Sequence, residues 1–342
     1  NLGHNHPQIN DAVINQVKKH SHLMVYGEFV QQVQVDMATL LAKKLGEGFD
    51  SVYFVNSGAE AVEGAMKLAK RFTGRPEIIS CRNAYHGSTQ GAMSIMGSET
   101  YKNSFRPLLP STALIQFNNL DDLDKITEET ACVIIEPVQA EAGVIIPENG
   151  YLQALRTRCN EKGALLIFDE IQTGLGRTGS LFAFQKYDVR PDVILLAKAL
   201  GGGYPLGAFV SSREIMQSLS ENPILGHITT FGGHPVSCAA ALASLKILSE
   251  ESFLNEVKKK SELFKELLSN IPNTEFRQSG LLMSLDLGDE RRNFEAISKC
   301  IESGLIVDWF LFAPQAMRLA PPLNMSDDDI RYACSIINKS IE

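Results

Sequence analysis

From about residue 51 onward, short apolar runs alternate with segments whose apolar residues recur at helical spacing. The helix predicted over 59–72 carries several apolar residues on one face, and a second is predicted near 150–161. The runs between are continuously apolar, which is typical of strands buried on both faces of a parallel sheet between helices. Strands are predicted at 51–55, 77–81, 132–135, 164–168 and 193–196.

The pattern changes to a smaller α+β region near residue 250. Helices are predicted at 235–249, about 253–269 and 327–340, and strands at 280–285 and 305–307. We therefore expect an N-terminal segment at 1–30, a large domain at 31–250 and a small C-terminal α+β domain at 251–342. The sequence lacks a starting Met, so the natural chain is expected to extend upstream.

Composition and charge narrow the class of protein. The 342 residues are 44% hydrophobic and 21% charged, which is typical of a globular protein. The net charge of −8 argues against nucleic-acid binding, and charges interrupt every apolar stretch before the roughly 18 residues of a membrane span. Six scattered cysteines favour buried free thiols in a reducing cytoplasm. The histidine pairs at 4/6 and 20/22 lack a further metal ligand at recognisable spacing, so no metal is expected.

Three predicted strands end in residues that bear chemistry. Open α/β sheets bind ligands at the carboxyl ends of their strands. The first strand leads through 56–60 into a helix, whose free N–H groups can bind a phosphate, although Ser57 and Glu60 also form a capping-box pattern. The fourth strand leads to Asp169, and the fifth leads to Lys198 and three glycines.

Each of these features alone has a simpler interpretation. Asp169 could be a helix cap or part of a local salt bridge, and Lys198 could be a surface lysine. Together they favour a cofactor with a phosphate, a basic ring nitrogen and an aldehyde, which is pyridoxal phosphate (PLP). The sequence has no Walker-type motif and no Rossmann motif after the first strand, so a nucleotide is less favoured.

With these residues assembled, the chain resembles the class III (ornithine/acetylornithine/GABA-type) aminotransferases of fold type I. The matching motifs span nearly the whole chain, at 3–7, 56–61, 85–87, 136–139, 169–179, 196–203, 229–233 and 318–323. The resemblance implies a large domain with a mostly parallel seven-stranded sheet, PLP as cofactor, and a homodimer with active sites at the subunit interface. It also implies ping-pong transfer of an amino group from an acetylornithine- or ornithine-like ω-amine to a 2-oxo acid such as 2-oxoglutarate.

The resemblance assigns roles to the strand-end residues. Lys198 would bind the cofactor covalently and move the proton at the reacting carbon. Asp169 would sit against the pyridine nitrogen, which favours the protonated ring and makes it an electron sink. Ser57, Gly58 and Ala59 would hold the phosphate.

Further residues are implied to complete the cofactor site. Thr230, with Thr229, would reach the phosphate from the second subunit. Tyr85 would stack on the ring with His86 beside it, and Gln172 would contact the phenolic oxygen of the ring.

The substrate end shows both agreement with and departure from the family pattern. Glu141 and Arg318 match a pair in which Arg318 binds Glu141 or a substrate carboxylate in alternate half-reactions. Ser88 stands where relatives with a second substrate-binding arginine carry that residue, and a hydroxyl cannot make its charged bidentate contact. Ala140 replaces the usual Gly beside Glu141. The aromatic segment 306–312 is either a buried strand or part of an apolar substrate pocket.

Two alternatives to the aminotransferase remain at this point. One is a PLP-dependent aminomutase or decarboxylase on the same scaffold, which needs no separate amino acceptor. The other is a PLP-binding regulator without turnover. Intact Lys198, Asp169 and Glu141 argue against a regulator, as does the lack of a DNA-binding motif.

Overall fold

The computed structural model describes residues 1–23 and 29–341. The helices are α1 (Pro7–Lys19), α2 (Gln32–Leu45), α3 (Gly58–Thr73), α4 (Gln90–Ser94), α5 (Glu99–Lys102), α6 (Tyr151–Lys162), α7 (Ala183–Tyr187), α8 (Arg213–Gln217), α9 (Pro235–Leu248), α10 (Glu251–Leu268), α11 (Glu290–Glu302) and α12 (Asp327–Ile341). The strands are β1 (Ser51–Val55), β2 (Glu77–Cys81), β3 (Thr112–Ile115), β4 (Thr130–Ile135), β5 (Leu165–Asp169), β6 (Val193–Leu196), β7 (Gly207–Ser211), β8 (Glu275–Ser279), β9 (Leu282–Asp286), β10 (Asp308–Phe310) and β11 (Ala313–Leu319).

The larger sheet has seven strands in the order β1-β7-β6-β5-β4-β2-β3. Its pairs are parallel except that β7 runs antiparallel to both β1 and β6. Successive residues of β5 enter different apolar clusters, with Leu166 and Phe168 in one and Leu165 and Ile167 in the other. Because both faces of the strand are buried, its run is continuously apolar. The prediction of a mostly parallel sheet between helices is confirmed.

The smaller sheet is antiparallel, in the order β10-β11-β9-β8, and comes from residues 275–319. Helix α11 packs against β11, and α12 packs against α10 and α11. This arrangement matches the expected α+β character of the C-terminal region. The boundary near residue 250 stays a prediction.

Several sequence-based predictions need correction. The segment 305–307 is not a strand, because pairing with β11 begins at Asp308 and Ile306 is 90% exposed. The strand expected at 280–285 is Leu282–Asp286. Phe72 does not share the buried face of α3 and is 39% exposed. The predicted elements do not include strands β3, β7, β8 and β11 or helices α1, α2, α4, α5, α7, α8 and α11.

All six cysteines are free and buried, as predicted, and the reducing compartment stays a prediction. Over residues 1–23 and 29–341, no helix combines the length and the apolar character needed to cross a bilayer. In the same residues, no group of three or more His, Cys, Asp or Glu side chains is arranged to hold a metal ion.

Candidate active site

A cavity of about 380 Å³ opens at the carboxyl edge of the larger sheet. It lies beside the ends of β1, β4, β5 and β6, as expected for a parallel sheet. Its lining comprises Asn56, Ser57, Gly58, Ala59, Tyr85, His86, Gly87, Ser88, Glu136, Asp169, Ile171, Gln172, Ala197, Lys198, Tyr204, Pro205 and Leu206. The predicted cofactor residues, other than Thr229 and Thr230, therefore line one cavity.

Three titratable side chains lie at or just after the ends of three adjacent strands. Strand β5 lies between β6 and β4, so Asp169 at its end is flanked by Lys198 after β6 and Glu136 after β4. We did not predict a role for Glu136, although an acid that follows a buried apolar strand is the signal that pointed to Asp169. Glu136 is 3% exposed, and burial followed by repulsion from Asp169 and Glu141 raises its pKa well above the usual value.

The first turn of α3 lies where the sequence predicts a phosphate-binding site. Ser57 caps the helix, because its Oγ accepts from Glu60 N at 3.1 Å. The carboxylate of Glu60 accepts from Asn56 N at 2.7 Å, so the return contact of the capping box goes to Asn56 instead of Ser57. Capping uses only the acceptor of Ser57, and its O–H stays available to donate to a phosphate. The cap and the phosphate site are therefore compatible.

Asp169 is oriented by two donors and is almost fully buried. Its Oδ2 lies 2.7 Å from Nδ1 of His86, and its Oδ1 accepts from Ile171 N at 3.0 Å. His86 is buried as well, and its Nε2 has no hydrogen-bond partner among the described residues. The sequence predicts that His86 lies beside the ring. In the structure His86 contacts Asp169, the acid predicted to face the ring nitrogen.

Lys198 lines the cavity, and its backbone conformation is strained. Its φ of 47° lies in the left-handed region, which costs a non-glycine residue about 1 kcal/mol or more and is common at functional sites. Burial lowers the pKa of its amine, while Asp169, Glu141 and Glu136 oppose that shift. The lowered pKa favours the neutral, nucleophilic amine.

Glu141 and Arg318 form an ion pair over a separation of 177 residues in the chain. Glu141 also accepts from Gln172 Nε2 at 2.8 Å and from Leu311 N at 3.2 Å. The guanidinium carbon of Arg318 lies 4.9 Å from the centre of the Phe310 ring. Arg318 is therefore not a free surface residue, and Gln172, expected at the phenolic oxygen of the ring, also holds Glu141.

The aromatic segment 306–312 is mixed in character. Phe310 is fully buried, whereas Trp309 is 44% exposed and packs against Phe294. Neither interpretation from the sequence describes the whole segment, because the adjacent residues Trp309 and Phe310 differ in burial at an irregularity in the pairing with β11. Its backbone instead supports Glu141, since Phe312 N donates to the Glu141 carbonyl at 3.1 Å.

The remaining predicted residues divide between the cavity and the surface. Ser88 Oγ lies 3.0 Å from Tyr85 Oη, so two hydroxyls lie together in the lining of the cavity. Thr229 Oγ1 accepts from Asn56 Nδ2 at 3.0 Å, so it contacts the segment before α3 of its own chain. Thr230 is exposed and does not line the cavity of its own chain.

Comparison with known proteins identifies the class. The profile of the family "Aminotransferase class-III" matches residues 1–341. The acetylornithine aminotransferase of Clostridium acetobutylicum is 38% identical, with 100% of this chain and 89% of the relative covered. That of Methanopyrus kandleri is also 38% identical, with 97% and 84% covered. The chain therefore belongs to the class III aminotransferases.

Solved structures agree with this assignment. Ornithine aminotransferase from Toxoplasma gondii has a TM-score of 0.91 and 31% identity, with 99% of this chain and 83% of that chain covered. A transaminase from Virgibacillus has a TM-score of 0.92 and 28% identity, with 100% and 86% covered. The fold-type-I and enzyme-class predictions are confirmed. The protein is a PLP-dependent aminotransferase, which needs an amino donor and a 2-oxo acid acceptor, and an aminomutase or decarboxylase is not favoured.

Proposed function

We propose that the cavity holds PLP with Lys198 as its covalent anchor and Asp169 at its ring nitrogen. The observation that carries this proposal is that a strained lysine, an oriented buried carboxylate and the capped start of α3 surround one cavity. The orphaned Nε2 of the buried His86 is a further sign of a polar group of the ligand nearby. Ser57, Gly58 and Ala59 would bind the phosphate, and Tyr85 would cover the ring.

When bound, PLP supplies an electron sink for the carbon that loses its proton. Asp169, aligned by His86, favours the protonated ring nitrogen through its negative charge. Lys198 would take up and return the proton at the substrate carbon, and the lowered pKa of its amine favours the neutral form that can act as a base. Gln172 would contact the phenolic oxygen of the ring while it holds Glu141.

We propose an acetylornithine- or ornithine-like ω-amine as the donor and a 2-oxo acid such as 2-oxoglutarate as the acceptor, in a ping-pong sequence. The names of the relatives and of the Toxoplasma gondii neighbour support this choice. The Glu141–Arg318 pair supports this choice as well. The guanidinium of Arg318 would bind a substrate carboxylate in one half-reaction, and Glu141 would neutralise the guanidinium in the other.

The same proposal includes a homodimer in the cytoplasm. Thr230 is exposed and outside the cavity of its own chain, which fits a residue that serves the phosphate site of a second copy. Exposed apolar side chains occur on the same segment at Ile228 and Phe231, with 51% and 53% of their surface free. Six free thiols suit a reducing compartment.

The test is an absorbance titration of the PLP-loaded enzyme with a panel of amines. The panel contains ornithine, N-acetylornithine, lysine, GABA, β-alanine, diaminopimelate, aspartate and glutamate. We expect one ω-amine to convert the cofactor to its amine form and 2-oxoglutarate to reverse the change, while Lys198→Ala abolishes turnover. Normal turnover by Lys198→Ala would refute the assignment of the site. A yellow enzyme that no panel amine converts would refute the proposed donor class.

A further inference from the structure

Glu136 is a buried acid that lines the cavity, and the proposed mechanism assigns it no role. Its Oε2 accepts from Tyr85 N at 3.4 Å, and its Oε1 accepts from Ala140 N at 3.3 Å. The first contact reaches the loop that carries Tyr85 and His86, and the second reaches the loop that carries Glu141. One side chain directly after strand β4 therefore connects the two loops.

The charges around Glu136 favour its neutral form. The carboxylates of Asp169 and Glu141 both act on it, and burial withdraws it from water. Arg318 is already paired with Glu141, and the pKa of the Lys198 amine is itself lowered by burial. An ionised Glu136 would add a third negative charge to the site. Of the nearby cations, Arg318 is paired with Glu141 and Lys198 loses its charge easily.

We propose that Glu136 is a positioning residue that works as an uncharged carboxylic acid and ties the loops of Tyr85 and Glu141 to β4. The proposal rests on the proposed function for the roles of those two loops. A neutral carboxyl keeps oxygen lone pairs for both backbone N–H groups, and its O–H is an additional donor. Because it adds no charge, Asp169 remains the acid that acts on the ring nitrogen.

Three substitutions test whether Glu136 acts as a neutral acid or as a charged carboxylate. Glu136→Gln keeps the side-chain length, the neutral state and one carbonyl acceptor. Glu136→Asp shortens the reach to both loops, and Glu136→Ala removes it. We expect Glu136→Gln to keep PLP affinity and kcat/KM within about threefold of the wild type, since it loses one long hydrogen bond. Glu136→Asp and Glu136→Ala should lower both by about tenfold or more, because two contacts are lost.

PLP affinity is measured by equilibrium dialysis, which does not depend on turnover. Glu170→Gln is the matched control, since Glu170 is also buried but its carboxylate accepts from Ala183 N and Phe184 N at the start of α7. This control should leave PLP affinity and the pH–rate profile unchanged. Impairment of Glu136→Gln equal to that of Glu136→Ala, or a displaced pH–rate profile, would refute the proposal.

Infrared difference spectra provide a direct readout of the proton. At about pH 8, the spectrum of wild type minus Glu136→Gln should contain the carbonyl stretch of a protonated carboxylic acid. The corresponding Glu170→Gln difference should lack it, because the pKa of Glu170 is about 7. Absence of the Glu136 band would overturn the proposal. A Lys198→Ala enzyme with normal turnover would refute the proposed function instead, and the infrared result would be unaffected.

Discussion

Removing the charge of Glu141 tests whether Arg318 changes partners during the reaction. Glu141→Gln keeps the length of the side chain and a carbonyl that can accept from Gln172 or Leu311. It abolishes the ion pair with Arg318, which a substrate carboxylate must otherwise break. We expect the variant to bind a carboxylate more tightly and to react more slowly with ω-amines, because Arg318 is left without a counter-charge.

The magnitude follows from the burial of the pair. The Glu141 and Arg318 side chains are 9% and 23% exposed, so the pair is neither a screened surface pair nor a fully buried one. A charge-assisted hydrogen bond in such a place is worth about 1.5–3 kcal/mol. The affinity for a carboxylate should therefore rise by about 10- to 150-fold.

The assay measures binding and the two half-reactions separately. Glutarate, a dicarboxylate that cannot be transaminated, is titrated against the enzyme, and stopped-flow absorbance follows each half-reaction. Glu99→Gln is the control, because it breaks a 2.7 Å pair with Arg106 in which Glu99 is 59% exposed, and such pairs contribute little. An unchanged glutarate affinity in Glu141→Gln, alongside an unchanged control, would show that Arg318 does not exchange Glu141 for the substrate.

Three further predictions address other parts of the site. Gly207→Ala would place a Cβ 2.3 Å from the Ser57 carbonyl oxygen and should weaken PLP binding by about tenfold in dialysis, whereas Gly201→Ala, with its nearest contact at 3.5 Å, should not. Burial raises the pKa of Glu170 from 4.5 to about 7, so the folded state binds the proton more tightly and the free energy of unfolding should fall by about 3 kcal/mol between those pH values. In denaturant titrations at several pH values, Glu170→Gln should flatten that fall. Ser88→Arg should raise kcat/KM for glutamate by about tenfold or more but not for β-alanine, and equal effects on both donors would contradict a second carboxylate site.

The sequence revealed five of the seven strands of the larger sheet, namely β1, β2, β4, β5 and β6. Strands β4, β5 and β6 are buried on both faces and leave an unbroken apolar run. Strand β3 is an edge strand with three partly exposed residues, and β7 is a five-residue strand that begins with Gly207, so neither leaves such a run. The pairing of 308–310, instead of 305–307, depends on the register with β11, which local hydrophobicity does not encode.

The residues of the site were predictable as types, but their partners were not. Strand ends revealed Lys198 and Asp169, and the same reasoning applied to β4 would have revealed Glu136. The contacts of Gln172 and Arg318 with Glu141 span 31 and 177 positions, so no spacing rule connects them. The support of Glu141 by Leu311 N is a backbone contact, which carries no signature of residue type.

The antiparallel strand β7 fixes the distance between the start of α3 and Lys198. Its first residue, Gly207, pairs with Val55 at the end of β1, and Ala208 pairs with Leu196 at the end of β6. The ends of β1 and β6, which lead to Ser57 and to Lys198, are therefore two strand spacings apart, or about 10 Å. The backbone pairing of β1, β7 and β6 fixes this distance, and only the conformation of the Lys198 side chain can change how far its amine lies from the start of α3. Substitutions among the lining residues leave this strand pairing in place, so the distance between the start of α3 and Lys198 changes only if the pairing of β7 changes.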